Sequence, residues 1–511
     1  MYLQQGSFSM RFFRPSRHTP LLQEGYQAMR RRWIIARRIC LRAVNVMIPF
    51  SILLGIGNAV RAQQPTANDP PVAGDSAGQS QDFLQRWETF YKQDWTGTAA
   101  LGPAAPRRGL PSPLNSPPFP SSDWSYGGSP TIGESDGNVY PLMTAIDGAK
   151  DRTKIYGWVE GSGNLSTSRD RNTPEANDAF SNRIEMNQFV VYAERLPDSV
   201  QRDHIDWGFH LTSFFGTDYR FTTDKGYFSS QLIDHDRQYG FDPVLEYVDV
   251  YFPHVAKGMN VRAGRWISIP GIEAQLSPNN YMFSHSLLYS VDPFTDTGVL
   301  ATIQLSDQWV VQTGVTGSHD VALWTADAKP SFTGCVDYTT KSVNDNFYLC
   351  ANGLNDGKYA YNNLQMYDGT WYHKFGSTWH MASEAYGMYQ RDVPSVTGPV
   401  APEKGTNGAH CAAGETRCFA PEWAFLNYIN KQFSPHDSLS FRNDFLNDKK
   451  GQRTGYAGRY SEGTVSLTHW IGSTVQIRPE IRFDHAWDNK AYDKGTRRNQ
   501  FTAASDLVLH F

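Results

Sequence analysis

Histidines are the side chains of this sequence best suited to acid–base chemistry. Four of them fall in strand-like segments: His373, His380, His469 and His485. No Gly-x-Ser-x-Gly nucleophile elbow accompanies them, and a His with a Ser at strand spacing occurs easily by chance. Carboxylate pairs such as Glu384 with Asp392 have no spacing that requires acid–base work, and the sequence shows no phosphate-binding glycine loop or metal triad. We therefore expect neither an enzyme nor a cofactor or metal.

Cysteine is the second reactive residue type. Four of the five cysteines form two close pairs: Cys335 with Cys350 and Cys411 with Cys418. In an exported chain such pairs predict two short disulfide-closed loops. A zinc site is the alternative, but neither pair has Cys-x-x-Cys spacing and the pairs lie far apart in sequence. The polar stretches 327–358 and 392–419, which hold the cysteines, are predicted to be extracellular loops.

Export is indicated by the N-terminus. A cluster of arginines precedes an apolar run at 46–56, and Val60-Arg61-Ala62 allows cleavage before Gln63. We therefore predict a cleaved signal peptide over residues 1–62; a membrane anchor is the alternative, although the run is short for a span. Its removal takes away ten arginines and one glutamate, so the net charge of the mature chain is more negative than the −4 of the whole sequence. Nucleic acid is an unsuitable partner for such a chain.

Residues 63–150 are rich in Pro, Ser, Gly and Ala and are predicted to hold little regular structure. The exception is a helix near 83–92, where apolar residues at 83, 84, 87, 90 and 91 follow helical spacing. Two interpretations stay open. The helix either plugs or docks at the mouth of the next domain, or it packs loosely without a specific role.

From residue 151 to 511 the sequence consists of short aromatic-rich alternating segments with Gly, Pro, Asn and Asp between them. An aromatic content of 14% with a mean hydropathy of −0.50 suits strands with one lipid-facing and one polar side. We predict an all-β fold, an antiparallel transmembrane β-barrel of about 14 strands, with 12 to 16 plausible. The alternation that ends at Phe511 is typical of the final-strand signal read by the barrel-assembly machinery.

The clearest strand runs from Val475 to Asp484 and places its charged residues on one face. The residues predicted to line the lumen are Arg478, Glu480, Arg482, Asp484 and Arg442. Such a mixed-sign wall would act on polar solutes without strongly selecting the sign of an ion. Alternatively, these charges only pair with one another across strands and stiffen the wall.

A long segment at 269–295 separates two predicted strands. A loop of this length inside a compact domain is usually functional. We predict that it folds into the barrel and narrows the pore, with Glu273, Asn279 and Asn280 at the constriction. In the alternative interpretation, the asparagines cap the backbone of the loop itself.

Several segments after Lys154 carry a family resemblance. They include 155–159, 206–209, Gly216–Arg220, 264–268, Ile272–Tyr281 and 370–375. On these segments the chain resembles the OmpL-like β-barrel porins, the second group of such porins. Where that family has Pro-Asp before Ile272, this chain has Pro270-Gly271. The resemblance implies a porin-type barrel in the outer membrane, with no catalytic motif.

Together these features predict a water-filled channel for passive diffusion of small polar solutes across the outer membrane. Its expected partners are outer-membrane lipid, the solutes and the assembly machinery, and the barrel is expected to be a monomer or a trimer. The alternative function is a surface barrel that serves as an anchor for partner-binding extracellular loops.

Overall fold

A computed structural model describes residues 82–97, 132, 140–147, 152–175, 177–268, 271–398 and 408–511. The predicted signal peptide lies outside the described residues, as does much of the segment 63–150. Among the described residues, no helix has the length and apolar character needed to cross a membrane.

Strands dominate the structure. They are β1 (Thr153–Ser166), β2 (Ile184–Arg195), β3 (Asp206–Gly216), β4 (Gly240–Asp242), β5 (Glu246–Phe252), β6 (Met259–Ile267), β7 (Thr295–Gln304), β8 (Trp309–His319), β9 (Ser331–Thr339), β10 (Asp345–Leu354), β11 (Gln365–Lys374), β12 (Trp379–Pro394), β13 (Arg417–Gln432), β14 (Asp437–Asp448), β15 (Gly458–Ile471), β16 (Val475–Ala486) and β17 (Asn499–His510). The α-helices are α1 (Phe83–Thr96), α2 (Pro141–Asp147) and α3 (Ser230–Ile233), and short 3-10 turns occupy Asp218–Phe221, Ser277–Asn279 and Tyr289–Val291.

The strands form one closed antiparallel barrel. Each strand pairs with its neighbours in chain order, and β17 pairs with β1 to close the ring. The short β4 pairs only with β3, beyond the end of the β3–β5 ladder, so it adds no member to the ring. Sixteen strands therefore close the barrel. The predicted fold class is confirmed. The expected number of about 14 strands was too low by two, and the observed 16 strands lie at the upper end of the expected range of 12 to 16.

Closure depends on a close approach between the last residue and β1. Phe511 donates its backbone N–H to the carbonyl oxygen of Gly157 at 2.8 Å, and Gly157 donates to the carbonyl of Phe511 at 3.0 Å. A Cβ at position 157 would lie 1.9 Å from the carbonyl oxygen of Val190 and 2.9 Å from the Phe511 ring. Only glycine therefore fits at this point of the wall.

Alternation sorts the side chains between the two faces of the wall. On β16, Ile481 and Phe483 are 54% and 50% exposed on the outer surface. Arg478 and Arg482 occupy the alternate positions of the same strand and are buried inside the barrel. The strand period of two thus puts an apolar surface outside and a charged one inside, as a membrane barrel requires.

The prediction that 327–358 is an extracellular loop was wrong. This stretch contains the hairpin β9–β10, in which Cys335 and Cys350 face each other and are disulfide-bonded on the inner side of the wall. Cys411 and Cys418 are also bonded, and Cys418 lies within β13 rather than in a loop. The cysteine pairs are as predicted, but the first disulfide joins two neighbouring strands instead of closing a loop.

The two ends of the barrel differ. One end, called here the turn end, carries the start of β1, the end of β17 and short connections such as 472–474. The opposite end, called the loop end, carries the long connections, including 217–239 and 395–416. This asymmetry is typical of outer-membrane barrels, in which the short turns face the periplasm.

Candidate functional site

The connection between β6 and β7 folds back into the barrel. Residues 271–294, called here the inserted loop, are all buried except Ser290 and Phe294, which are partly exposed. Its entry and exit lie side by side, because Ser268 donates its backbone N–H to the carbonyl oxygen of Phe294 at 2.8 Å. The loop therefore leaves the wall and returns to the wall at the same place.

Strand β16 holds the far side of the inserted loop through Arg478. Its guanidinium donates to the backbone carbonyls of Ser277 at 2.8 Å and Asn280 at 3.0 Å. The same group pairs with Asp506 on β17, with Nε–Oδ2 at 3.1 Å. One buried cation thus satisfies a wall carboxylate and two loop carbonyls that would otherwise be costly to bury.

Two more arginines repeat this arrangement. Arg442 on β14 pairs with Glu462 and donates to the side chain of Ser284 at 3.0 Å. Arg482 pairs with Asp484 at 2.8 Å and donates to the carbonyl oxygen of His285. The predicted inner-wall arginines are therefore brought together along one side of the lumen. Their charges pair with carboxylates of the wall, as the second sequence interpretation describes. The first interpretation, an action of these charges on polar solutes, stays a prediction.

Glu273 joins the inserted loop to the wall and to itself. Its carboxylate accepts the backbone N–H of Ser286 at 3.1 Å and lies 3.3 Å from the guanidinium of Arg442. The hydroxyl of Tyr428 on β13 donates to the same carboxylate. Glu273 therefore fixes the spacing between the two limbs of the loop and seats both against β13 and β14.

The two asparagines lie at the turn of the inserted loop. The side chain of Asn280 accepts the backbone N–H of Ala274 at 2.8 Å and donates to the Ala274 carbonyl at 2.7 Å. Asn279 lies in the 3-10 turn and donates its backbone N–H to Leu276 at 3.0 Å. Asn280 thus binds the backbone of its own loop, as the alternative interpretation describes, and shapes the segment that crosses the lumen.

Residues that the sequence analysis did not select complete the site. Glu160 on β1 accepts from the hydroxyl of Ser277 at 2.6 Å, and Gln188 on β2 donates to the carbonyl of Gln275 at 2.8 Å. Glu384 on β12 accepts the backbone N–H of Ile272 at 2.7 Å. The loop is therefore bound to walls on several sides. The alternation along β1 could have identified Glu160 from the sequence, because Glu160 lies on the same inner face as Tyr156 and Trp158.

The inner wall around β11–β13 is acidic. Asp368, Glu384 and Glu422 are buried on successive strands, and Asp292 of the inserted loop is buried as well. Elsewhere in the barrel, buried arginines pair with their own carboxylates, such as Arg262 with Asp249 at 2.9 Å. Within the described part of the chain, none of these four carboxyl groups forms an ion pair of this kind.

A row of aromatic rings in contact lines another part of the inner wall. It comprises Tyr140, Tyr156, Tyr192, His210 and Tyr247. The first two rings stack at 3.7 Å between centroids, and the following pairs lie 4.7–5.0 Å apart. The strand register explains the row, because Tyr156 faces Tyr192 and His210 faces Tyr247 across neighbouring strands. Since Tyr140 precedes α2, the row ties that helix to the barrel.

Helix α1 docks on the turn end. Asp94 accepts the backbone N–H of Ser473 at 2.9 Å and the hydroxyl of Thr474 at 2.7 Å. Tyr91 donates to the carbonyl oxygen of His510 at 2.6 Å. Gly472 has φ of +60°, and a Cβ there would meet the Asp94 carboxylate at 2.4 Å. The turn between β15 and β16 is thus shaped to receive this helix.

The connections at the loop end pack against each other. Lys225 and Asp327, from two neighbouring connections, form an ion pair at 2.6 Å. Burial alone would raise the pKa of Asp327, but the hydrogen bond from Lys225 holds that pKa below its usual value. A cavity of about 30 Å³ remains between these connections and the inserted loop, with Arg220, Asp320 and Arg453 in its lining. This volume has room for only one or two water molecules.

Known proteins resemble the chain in sequence and in fold. A family model described as "Putative beta-barrel porin-2, OmpL-like" matches residues 152–511. An anion-selective porin from Comamonas acidovorans is 9% identical, with a TM-score of 0.43 over 70% of this chain and 99% of the other. The outer membrane channel DcaP of Acinetobacter baumannii is 9% identical, with a TM-score of 0.42 over 70% and 97% of the respective chains. No curated protein matches the chain.

Proposed function

Because the chain belongs to the OmpL-like β-barrel porin family, we propose that it lets small polar solutes diffuse passively across the outer membrane through a lumen narrowed by the inserted loop. It is an outer-membrane β-barrel of porin type.

The observation that carries this proposal is the attachment of the inserted loop to the far wall. Arg478 and Arg482 on β16 bind carbonyl oxygens of the loop, while Glu384 on β12 binds its N–H at Ile272. A loop fixed at both sides of a barrel leaves only the remaining cross-section for a solute. Its position therefore sets the width of the path.

The path is proposed to run beside the loop over a polar wall. Near the turn end, the inward residues Thr302 on β7 and Lys374 on β11 are partly exposed, so solvent reaches the lumen there. Toward the loop end the inner side chains are buried, and we propose that the path is narrowest where the inserted loop crosses the lumen. We propose that Glu273, Asn279 and Asn280 shape this constriction by holding the loop across it.

The test is single-channel conductance of the folded protein in a planar bilayer. Replacing Glu273, Asn279 and Asn280 by Ala releases the loop and is expected to give stepwise currents of larger amplitude. The matched control replaces Ile477, Ile481 and Phe483 by Ala, since these residues lie on the outer face of β16. A control with altered currents, or a folded barrel that never conducts, would contradict the proposal.

Burial of the inner side chains also favours a second candidate, an anchor for extracellular loops. The inserted loop fills much of the barrel, and the connections at the loop end pack together. In that case the protein would insert and shift on heating like a folded barrel, yet carry no current with or without the loop substitutions. The same bilayer recording thus separates the two candidates.

A further inference from the structure

A row of polar and small residues crosses the outer surface of four neighbouring strands. In the strand register, Ser383 on β12 faces Asn427 on β13, Asn427 faces Asn443 on β14, and Asn443 faces Gly463 on β15. We call these four residues the polar row. At the usual strand separation, the row is about 14 Å wide.

The polar row faces outward, toward the lipid. Asn427 shares strand parity with Phe425 and Ile429, which are 41% and 38% exposed on the outer surface. Asn443 shares parity with Phe441, which is 43% exposed, whereas Arg442 beside it is buried inside. The row is therefore enclosed above and below by apolar side chains.

The polar row also lies midway through the membrane. On β12, Ser383 sits between two outward aromatic residues, Trp379 toward the turn end and Tyr389 toward the loop end. Ten strand residues at the usual rise and tilt span about 25 Å along the membrane normal, which is the height of the apolar band in such barrels. The two asparagines therefore lie where the surroundings are hydrocarbon rather than headgroups.

An amide in hydrocarbon is costly unless its hydrogen bonds are made. The side chain of Asn427 donates to the hydroxyl of Ser383 at 2.6 Å, which uses one of its donors. For Asn443, no side-chain hydrogen bond is found within the described part of the chain. The barrel alone therefore leaves polar groups of the row without hydrogen bonds, and lipid tails have no donors or acceptors to supply them.

We infer that the polar row is a contact surface for a second copy of this chain. An amide is both donor and acceptor, and a two-fold axis at the centre of the row places Asn443 of one copy opposite Asn427 of the other, so these two side chains can pair reciprocally. The end of the row at Gly463 has room for a side chain of the second copy, because a Cβ added at Gly463 would find no heavy atom within 4 Å. Trp371 and Phe483 continue the outer surface on the two sides, and their rings would pack around the polar centre. Small and polar side chains are the residues that join surfaces inside membranes.

The first test compares the full-length protein with its Asn427→Leu/Asn443→Leu variant, extracted from outer membranes in mild detergent. Native mass spectrometry is expected to give at least two chains per particle for the parent protein and one for the variant. Lipid-facing leucines favour folding, so the heat-dependent gel shift of the barrel should persist. A parent protein that is monomeric, or a variant with unchanged stoichiometry, would overturn the inference.

The second test leaves both asparagines in place. The two-fold arrangement places Gly463 of one copy opposite Ser383 of the other, so the Ser383→Cys/Gly463→Cys double variant is expected to form a dimer through a disulfide in the membrane under mild oxidation. The matched control is Val248→Cys, since Val248 is 53% exposed on β5, far from the row in strand order. Equal cross-linking of the double variant and the control, or cross-linking of the double variant to a different protein, would also overturn it. None of these outcomes depends on whether the barrel conducts.

Discussion

Arg478 donates from Nη1 to the backbone carbonyl oxygen of Ser277 at 2.8 Å, across a sequence separation of 201 residues. This bond places a cation of β16 under the turn of the inserted loop. The arginine is also paired with Asp506, so one side chain holds both the wall and the loop in place.

Replacing Arg478 by Leu should lower the free energy of unfolding by about 3–5 kcal/mol, because Asp506 is left buried and unpaired. The double variant with Asp506→Leu should recover much of this loss, since it removes both charges. Urea unfolding followed by tryptophan fluorescence measures the difference. If the double variant were no more stable than the single one, the pair would not be the source of the effect.

Asp94→Ala should release helix α1 from the turn end, because the carboxylate accepts hydrogen bonds from Ser473 and Thr474. Bonds to a charged group contribute about 1.5–3 kcal/mol, which suffices to detach a short helix. Hydrogen–deuterium exchange of residues 83–96 should accelerate. The control is Glu88→Ala, which removes only an exposed pair with Lys92 on the same helix. Equal acceleration in both variants would count against docking through Asp94.

The two disulfides should differ in their reaction with a reductant. Cys335 and Cys350 are 3% and 6% exposed inside the wall, whereas Cys411 and Cys418 are partly exposed. In the folded protein, dithiothreitol should therefore open the second bridge first, since a thiolate must reach a sulfur atom. Alkylation followed by peptide mass spectrometry identifies the order. Simultaneous reduction of the two bridges would show that burial does not protect the first.

Contact between the connections at the loop end should weaken in acid. The folded pKa of Asp327 is below its ordinary value, so the ion pair with Lys225 stabilises the folded state above the unfolded pKa of about 4. This contribution is lost as the pH falls through the lower, folded pKa. Hydrogen–deuterium exchange at residues 225–232, corrected for the intrinsic pH effect, should show weaker protection in that range. A Lys225→Met variant should lack this pH dependence; the same dependence in both proteins would exclude the pair as its cause.

A conducting barrel should prefer cations. The carboxylates of Asp368, Glu384 and Glu422 form an acidic arc on the inner wall, while buried arginines such as Arg478 are paired. At alkaline pH, where these carboxyl groups are ionised, reversal potentials in a potassium chloride gradient should show preference for potassium, and Asp368→Asn with Glu384→Gln should reduce it. Asp307→Asn, at an exposed turn, is the control and should have no effect. Preference for chloride in the parent protein would contradict this expectation.

Strand alternation made much of the fold predictable from the sequence. It identified β16 with the correct faces, because a lipid-facing surface and a charged interior leave a strong period of two at Val475–Ala486. It was overlooked in β9–β10, where Gly334 weakens the outer face and the polar inner residues resemble a loop. Phe332, Val336, Phe347 and Leu349 nevertheless alternate outward there.

The inserted loop could be located from the sequence, but its attachment could not. Its length signalled an unusual connection, and Glu273 and Asn280 do form hydrogen bonds within it. The partners Glu160, Gln188 and Arg478 come from strands far away in the chain, and their contacts depend on barrel closure and register. No local pattern encodes that geometry.

The pairing of β17 with β1 has a consequence for biogenesis. The two strands that seal the wall are the first and the last of the barrel to leave the ribosome. Until β17 is present, both margins of the growing sheet expose unpaired amide and carbonyl groups, which hydrocarbon does not tolerate. A frameshift or stop codon late in the reading frame should therefore not yield a smaller working barrel; it should yield a chain that is left for periplasmic proteases.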